Sequence, residues 1–351
     1  MQELRLLGAA QTYQMFSYFT SGTVWNLSPL AVNFFDEKYG DVLACRHCRS
    51  LHNGSNSNES RVDETNSTKS GSIDRTRVSY PSFDQFMLLR KNTTPIFILG
   101  CQRSGTTMFQ SMFARSRHVE EFDEGNRRAM TEGWRLRDDS VITDLIRRSR
   151  KKIVLFKPLN DSQFADRYLD NFPGSRIIWM FRNPFDTVNS AVTKWGAGQL
   201  DMMTWIAASI REAGSRQEAM RVLEARPGYA IYAERMADNV CDKLLEWTER
   251  PLSEHAGAAI LWYLRNRIFF DLDLSSKDRA MLMSYEDLVQ GKEIQIRRIC
   301  EFIGIRYSNK YAADVRTSSV GKSPKPPLPD AIEEAVVSLQ GQLESRFLEQ
   351  S

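Results

Sequence analysis

Two glycines, Gly100 and Gly105, bracket the residues Cys-Gln-Arg-Ser and are followed at once by Thr106 and Thr107. This spacing lets the backbone turn tightly and aim successive N–H groups at an anion, helped by the positive end of a helix that begins at Thr106. Phosphate binding is the chemistry it serves. A Walker A loop has the same G-x-x-x-x-G frame but needs a lysine where Thr106 stands. Here the cation is Arg103, inside the loop, whose planar guanidinium can fork onto a phosphate or a group in transfer. Two more cations close apolar runs: Lys157 ends Lys152-Ile-Val-Leu-Phe-Lys157, and Arg182 ends Arg176-Ile-Ile-Trp-Met-Phe-Arg182. Open parallel sheets bind ligands beyond the carboxyl ends of their strands, so Arg103, Lys157 and Arg182 converge if these runs are neighbours.

The elements that must position these residues can be read from the pattern. Ile96 to Leu99 form a continuous apolar run of strand length, as expected of a parallel strand covered on both faces. Met108, Phe109, Met112 and Phe113 give the following helix an apolar side. Next, His118-Val-Glu-Glu-Phe-Asp-Glu-Gly125 reads as an acidic turn. After Arg182, Asn183 is placed to cap a helix with Pro184 at its first position and Asp186 near its positive end. Ser190 and Lys194 then share one face of that helix. Residues 200 to 270 are helical in pattern, and Met281 to Ser284 is a further short strand leading into Tyr285-Glu-Asp-Leu288. A helix follows over 291–303, then a polar loop Thr317-Ser-Ser-Val-Gly-Lys322, and a final amphipathic helix begins at Ala331. The whole predicts an α/β protein of the P-loop-containing kind, a three-layer α/β/α fold with a central parallel sheet, over residues 80–351.

With 351 residues, 42% hydrophobic and 26% charged, the chain can bury one large α/β core, or one core with a small appendage. Residues 1–50 carry aromatic and apolar positions at helical spacing and are expected to pack on that core. Residues 51–79 are almost devoid of apolar side chains and read as a flexible polar linker or loop. Its N-x-S/T triplets at Asn53, Asn58 and Asn66 matter only in a secretory compartment. No run approaches a membrane span, and the first residues are too polar for a signal peptide, so the expected compartment is the cytoplasm. The secretory lumen is the alternative if an anchor is missing from this sequence. A net charge of +3 is too small to imply a nucleic-acid partner. Nine Arg or Lys against four acids over residues 127–152 read either as a solvated face or as a groove for an anionic acceptor. Cys45 and Cys48 form a C-x-x-C without a second pair and read as free thiols, and Cys101 as a packing residue.

The set Gly100-Cys-Gln-Arg-Ser-Gly-Thr-Thr107, Arg182 with Ser190 eight positions on, and Tyr285-Glu-Asp-Leu288 resembles the sulfotransferases that use 3′-phosphoadenosine-5′-phosphosulfate (PAPS). The resemblance implies that Arg103, Ser104, Gly105, Thr106 and Thr107 hold the 5′-phosphosulfate, and that Arg182 and Ser190, with Lys194 beside them, hold the 3′-phosphate. It further implies that Tyr285 and the loop with Ser318, Ser319 and Lys322 border the adenosine and 3′-phosphate. Two departures narrow the branch. The loop has Arg103 where the cytosolic small-molecule enzymes usually have Lys, and Lys157 is followed by Pro158 and Leu159 with no histidine base. The form looks like the protein-tyrosine, bacterial or carbohydrate branches, where a Glu soon after the first helix is the base. Glu124 fits that position best, with Glu121 and Asp123 as alternatives.

In that reading Glu124 takes the proton of an acceptor hydroxyl on a glycan, peptide or small metabolite, an anionic glycan or peptide among them. Arg103 and Lys157 stabilise the transferring group. No metal is expected, because no strand end offers the aspartate of a magnesium-dependent phosphoryl transferase. A P-loop kinase with a modified loop and a non-catalytic nucleotide-binding module are the alternatives.

Overall fold

The computed structural model describes residues 93–224, 235–313, 315–316, 320–322 and 324–350, all inside the unit Tyr80–Ser351. The expectations for residues 1–79, for Cys45 and Cys48, and for Ser318 and Ser319 lie outside the described residues.

The chain opens on strand β1 (Thr94–Gly100), continuous apolar residues of which six are buried. It turns into helix α1 (Thr106–Phe113), whose Phe109, Met112 and Phe113 face the core. Strand β2 (Val119–Phe122) and helix α2 (Asp139–Arg148) follow. Strand β3 (Ile153–Phe156) is buried at every position and leads through a 3-10 turn, Leu159–Phe164, into α3 (Ala165–Asn171). Strand β4 (Arg176–Phe181) precedes α4 (Pro184–Trp195). Asn183 Oδ1 accepts the N–H groups of Phe185 and Asp186, so the asparagine cap with proline at the first position starts α4 as its sequence predicts.

Helices α5 (Gly198–Ala213), α6 (Arg216–Glu224), α7 (Asp238–Trp247) and α8 (Glu254–Asp271) come next. Strand β5 (Ala280–Ser284) runs into α9 (Tyr285–Gln290) and α10 (Lys292–Ile303), and α11 (Asp330–Glu349) closes the chain.

The five strands of the described residues are all parallel, in the order β2-β3-β1-β4-β5. Their near-complete burial requires helices on both faces. Aromatic rings knit the layers together: Phe97 of β1 stacks on Phe156 of β3 at 5.4 Å and on Tyr168 of α3 at 4.5 Å. On the same face, one strand over, Trp179 of β4 packs on Phe269 of α8 at 5.8 Å. β1 lies centrally with β3 on one side and β4 on the other, and the chain reverses direction across the sheet there. The crevice beyond its carboxyl end is therefore the switch point at which such sheets bind ligands.

One expectation is corrected. Residues 118–125, read as an acidic turn, contain the edge strand β2. Val119 and Phe122 point inward while Glu120 and Glu121 are half exposed, and pairing with β3 on one side alone is enough to order the segment. Among the described residues no helix is long and apolar enough to cross a membrane.

Candidate active site

The loop between β1 and α1 is held in shape by its glycines. Gly100 has φ +124, and a Cβ there would stand 2.2 Å from the Met180 carbonyl oxygen. Gly105, at φ +84, brings the helix start so close to Tyr285 that a Cβ would meet its ring at 2.3 Å. Arg103 adopts φ +69 without being glycine, a conformation that costs on the order of 1–3 kcal/mol and persists where the surroundings over-determine it. Those surroundings are visible. Gly100 N–H donates to Ser162 Oγ (3.1 Å), and Gln102 Nε2 donates to Asn160 Oδ1 (3.1 Å). Both acceptors belong to the 3-10 turn after β3. Among the described residues no side chain caps α1, so its first N–H groups are open to a ligand.

Arg182, just past β4, donates through Nη1 to the Arg103 carbonyl (3.3 Å) and lies over the Tyr285 ring at 4.7 Å. Arg103 Nε donates to Ser190 Oγ at 3.0 Å. Arg103 and Ser190, which the resemblance assigns to opposite ends of a nucleotide, are thus in contact. Asp186 stands 3.4 Å from Arg182 Nη2 and accepts the Gly321 N–H at 2.9 Å. Asn189 Nδ2 donates to the Pro324 carbonyl (2.9 Å). These two residues of α4 dock the late loop and bring Lys322 to the site. The result is a cleft of about 540 Å³ lined by Arg103, Gly105, Thr106, Thr107 and Met108, and by Arg182, Ser190, Lys194, Tyr285 and Lys322. Its size is in the usual range for a small-molecule site, and among the described residues four cations face it against the single carboxylate of Asp186. Ser104 does not line the cleft: it is fully buried and gives its N–H to the Cys101 carbonyl (3.3 Å).

A second cluster adjoins the helix start. Lys157 Nζ lies 3.0 Å from Thr107 Oγ1 and 3.3 Å from Glu124 Oε2. The lysine is almost wholly buried, which leaves its ammonium dependent on these two partners. Burial pushes the Glu124 carboxyl above its ordinary value, and the charges of Lys157 and Arg265 pull it back. Glu121 is likewise raised by burial, but it sits within β2. Asp123 accepts the Gly125 N–H at 3.0 Å. Of the three candidate acids, Glu124 is the one beside both Lys157 and the loop. Cys101 is buried, and burial pushes its thiol up to about 12, which suits a packing residue and not a nucleophile.

Sequence reading passed over three contributors. Asp186 was visible four residues after Arg182 but looked like a helix-start acid. Arg265 is fully buried in α8 and donates to Gln163 Oε1 at 3.1 Å; its signal was an arginine directly after the apolar run Ala258 to Leu264. The turn Asn160-Asp161-Ser162-Gln163 gave no local signal, because its partners lie far off in the sequence.

The sequence matches the family model described as the sulfotransferase domain over residues 93–325. Similar solved structures include the sulfotransferase domain of the Synechococcus PCC 7002 olefin synthase, at 17% identity over 72% of this chain and 94% of that one, TM-score 0.44. A sulfotransferase from Alicyclobacillus acidocaldarius is similar at 15% identity over 72% and 93% of the chains, TM-score 0.38. A mouse sulfotransferase complexed with PAP is similar at 15% identity over 70% and 73%, TM-score 0.34. No curated protein gives a significant match.

Proposed function

The chain belongs to the sulfotransferase family, an enzyme of sulfuryl transfer whose donor is PAPS, and on that footing we propose which of its residues hold the donor and which act on the acceptor. The cleft fits such a donor. Its four cations and the open N–H groups of α1 suit a ligand with phosphate at both ends, and the ring of Tyr285 beneath Arg182 gives an aromatic border for a nucleoside. Arg103, Thr106 and Thr107 take the 5′ end. Arg182, Ser190 and Lys194 take the 3′-phosphate, with Lys322 closing over it.

The observation that carries the catalytic assignment is the Thr107–Lys157–Glu124 chain. The donor supplies a sulfuryl group bonded to a phosphate oxygen. Arg103 and Lys157 place fixed positive charge where the departing phosphate and the sulfuryl oxygens gain negative charge, in a site where little reorganisation is needed. Glu124 receives the proton of the acceptor hydroxyl as that oxygen bonds to sulfur. Its raised affinity for a proton favours this role over that of a mere counter-ion. The acceptor is a hydroxyl compound, and the arginines that follow Glu124 favour an anionic glycan or peptide.

The deciding experiment uses labelled PAPS with a panel of glycans, tyrosine peptides and phenols. Glu124→Ala is expected to retain the binding of 3′,5′-bisphosphoadenosine (PAP) while losing transfer by about two to four orders of magnitude, the usual worth of a general base. Unchanged transfer would remove Glu124 from the mechanism.

A further inference from the structure

After Glu124 the chain leaves the sheet and forms a small lobe before α2. An antiparallel bridge between Met130 and Leu136 closes it, as do Arg137 N–H to the Ala129 carbonyl (2.9 Å) and Thr131 N–H to the Arg135 carbonyl (2.7 Å). At its tip Trp134 has φ +55. Among the described residues only Arg103 and Asp273 share a positive φ without being glycine. A bulky side chain in that region is a strained choice where glycine would be free of cost. Yet the indole is 49% exposed, so burial does not offset the strain. Backbone strain spent on holding an aromatic ring in water points to a contact outside the fold.

The lobe also sits beside the reacting groups. It starts at Glu124, and its tip is tied to the loop by two hydrogen bonds: Asn160 Nδ2 donates to the Gly133 carbonyl (3.3 Å) and Asn160 Oδ1 accepts from Gln102 (3.1 Å). Between Gly125 and Arg137 it carries four arginines and one acid, Glu132. Arg135 is committed to Asp161, and Arg128 lies over the Phe122 ring. Arg127 and Arg137 are exposed and adjacent, with Arg137 Nη1 donating to the Arg127 carbonyl (3.3 Å). All four cations are guanidiniums, the side chain whose planar fork matches a carboxylate or sulfate.

We propose that this lobe is an acceptor subsite for an acidic oligosaccharide, with Trp134 stacked on the C–H face of one pyranose and Arg127 and Arg137 paired with acidic groups on its neighbours. The inference rests on the sulfuryl-transfer reading and specifies its acceptor. A sugar ring covers an exposed indole with its apolar face while its hydroxyls stay in water. An acidic peptide would engage the arginines but give the strained indole no purpose.

Calorimetry on the PAP-loaded protein tests this with three probes: a hexasaccharide of alternating glucuronate and N-acetylglucosamine, the uncharged N-acetylglucosamine hexamer, and an acidic tyrosine peptide. The acidic hexasaccharide should bind tightest. Trp134→Gly should lower its affinity about tenfold, Trp134→Phe should retain most of it, and Arg127→Ala with Arg137→Ala should abolish the preference over the neutral sugar. PAP affinity should stay the same throughout, and the melting temperature of Trp134→Gly should hold or rise because the strain is gone. Unchanged hexasaccharide affinity in Trp134→Gly overturns the subsite, as does binding of the peptide in place of the acidic sugar. Because binding is read without turnover, Trp134-dependent sugar binding with no sulfate transfer to any acceptor would leave the subsite standing and sink the catalytic reading instead.

Discussion

The Lys157 charge acts on the Glu124 carboxyl 3.3 Å away, and the sign of that effect can be measured. Burial holds the Glu124 carboxyl above its ordinary value even though the Lys157 charge opposes the shift. A base works when ionised, so the acidic limb of the kcat/KM profile should lie above the ordinary glutamate value of about 4.3. Lys157→Met deletes the largest opposing charge while keeping the length of the side chain. The Glu124 carboxyl then binds its proton more tightly, and the limb should move to higher pH. The plateau should fall by about 100- to 1,000-fold, because positive charge is lost where negative charge develops. A limb that stays in place, or moves down, would mean that another group titrates in it. Far-UV circular dichroism separates this from misfolding, a necessary control since the variant leaves Glu124 without its ammonium partner.

Among the elements, the 3-10 turn Leu159–Phe164 does more than join β3 to α3. Ser162 and Asn160 brace the loop between β1 and α1, Gln163 receives Arg265, and Asp161 accepts both Arg135 Nε and Leu136 N–H at 2.6 Å. Asp161 thereby fastens the lobe that begins at Glu124. Its carboxylate is buried while Arg135 is a third exposed, so water can replace only part of what is lost. Asp161→Ala should cost about 2 kcal/mol, a fall of roughly 4–8 °C in melting temperature for a domain of this size. The variant should also reduce kcat while leaving PAP affinity unchanged, because the tie acts on Glu124 and not on the phosphate contacts. A lowered melting temperature with unaltered kcat would make the tie structural only. The same turn marks where the sequence stops being legible. Four of the five strands announce themselves as apolar runs, and the asparagine cap of α4 as a local pattern. β2 was hidden because two glutamates break its run, and the turn because Asp161, Ser162 and Gln163 find partners 25 to 102 positions away. Arg103, Lys157 and Arg182 were legible because each stands at the end of a strand or in its loop; the contacts that join them were not.

On the scale of the whole molecule, the cleft is assembled from segments that share no local structure: the loop after β1, the face of α4, the start of α9 and the docked segment at Gly321 and Lys322. A ligand that bridges them stabilises the folded chain and not the unfolded one, so binding must appear as thermal stability. At a concentration one hundred times its Kd, PAP should contribute about 2.7 kcal/mol, a rise of roughly 5–10 °C. ATP at the same concentration should give a smaller rise, because it offers no 3′-phosphate to Arg182 and Ser190. Arg182→Ala should erase the difference between the two nucleotides. Added salt should shrink the PAP effect, as expected where four cations supply much of the attraction. Chelation should leave it unchanged if the phosphates are neutralised by guanidinium and ammonium groups, as the lining of the cleft indicates. An ATP effect that equals that of PAP and needs magnesium would place the 3′-phosphate contacts elsewhere and reopen the assignment of Arg182.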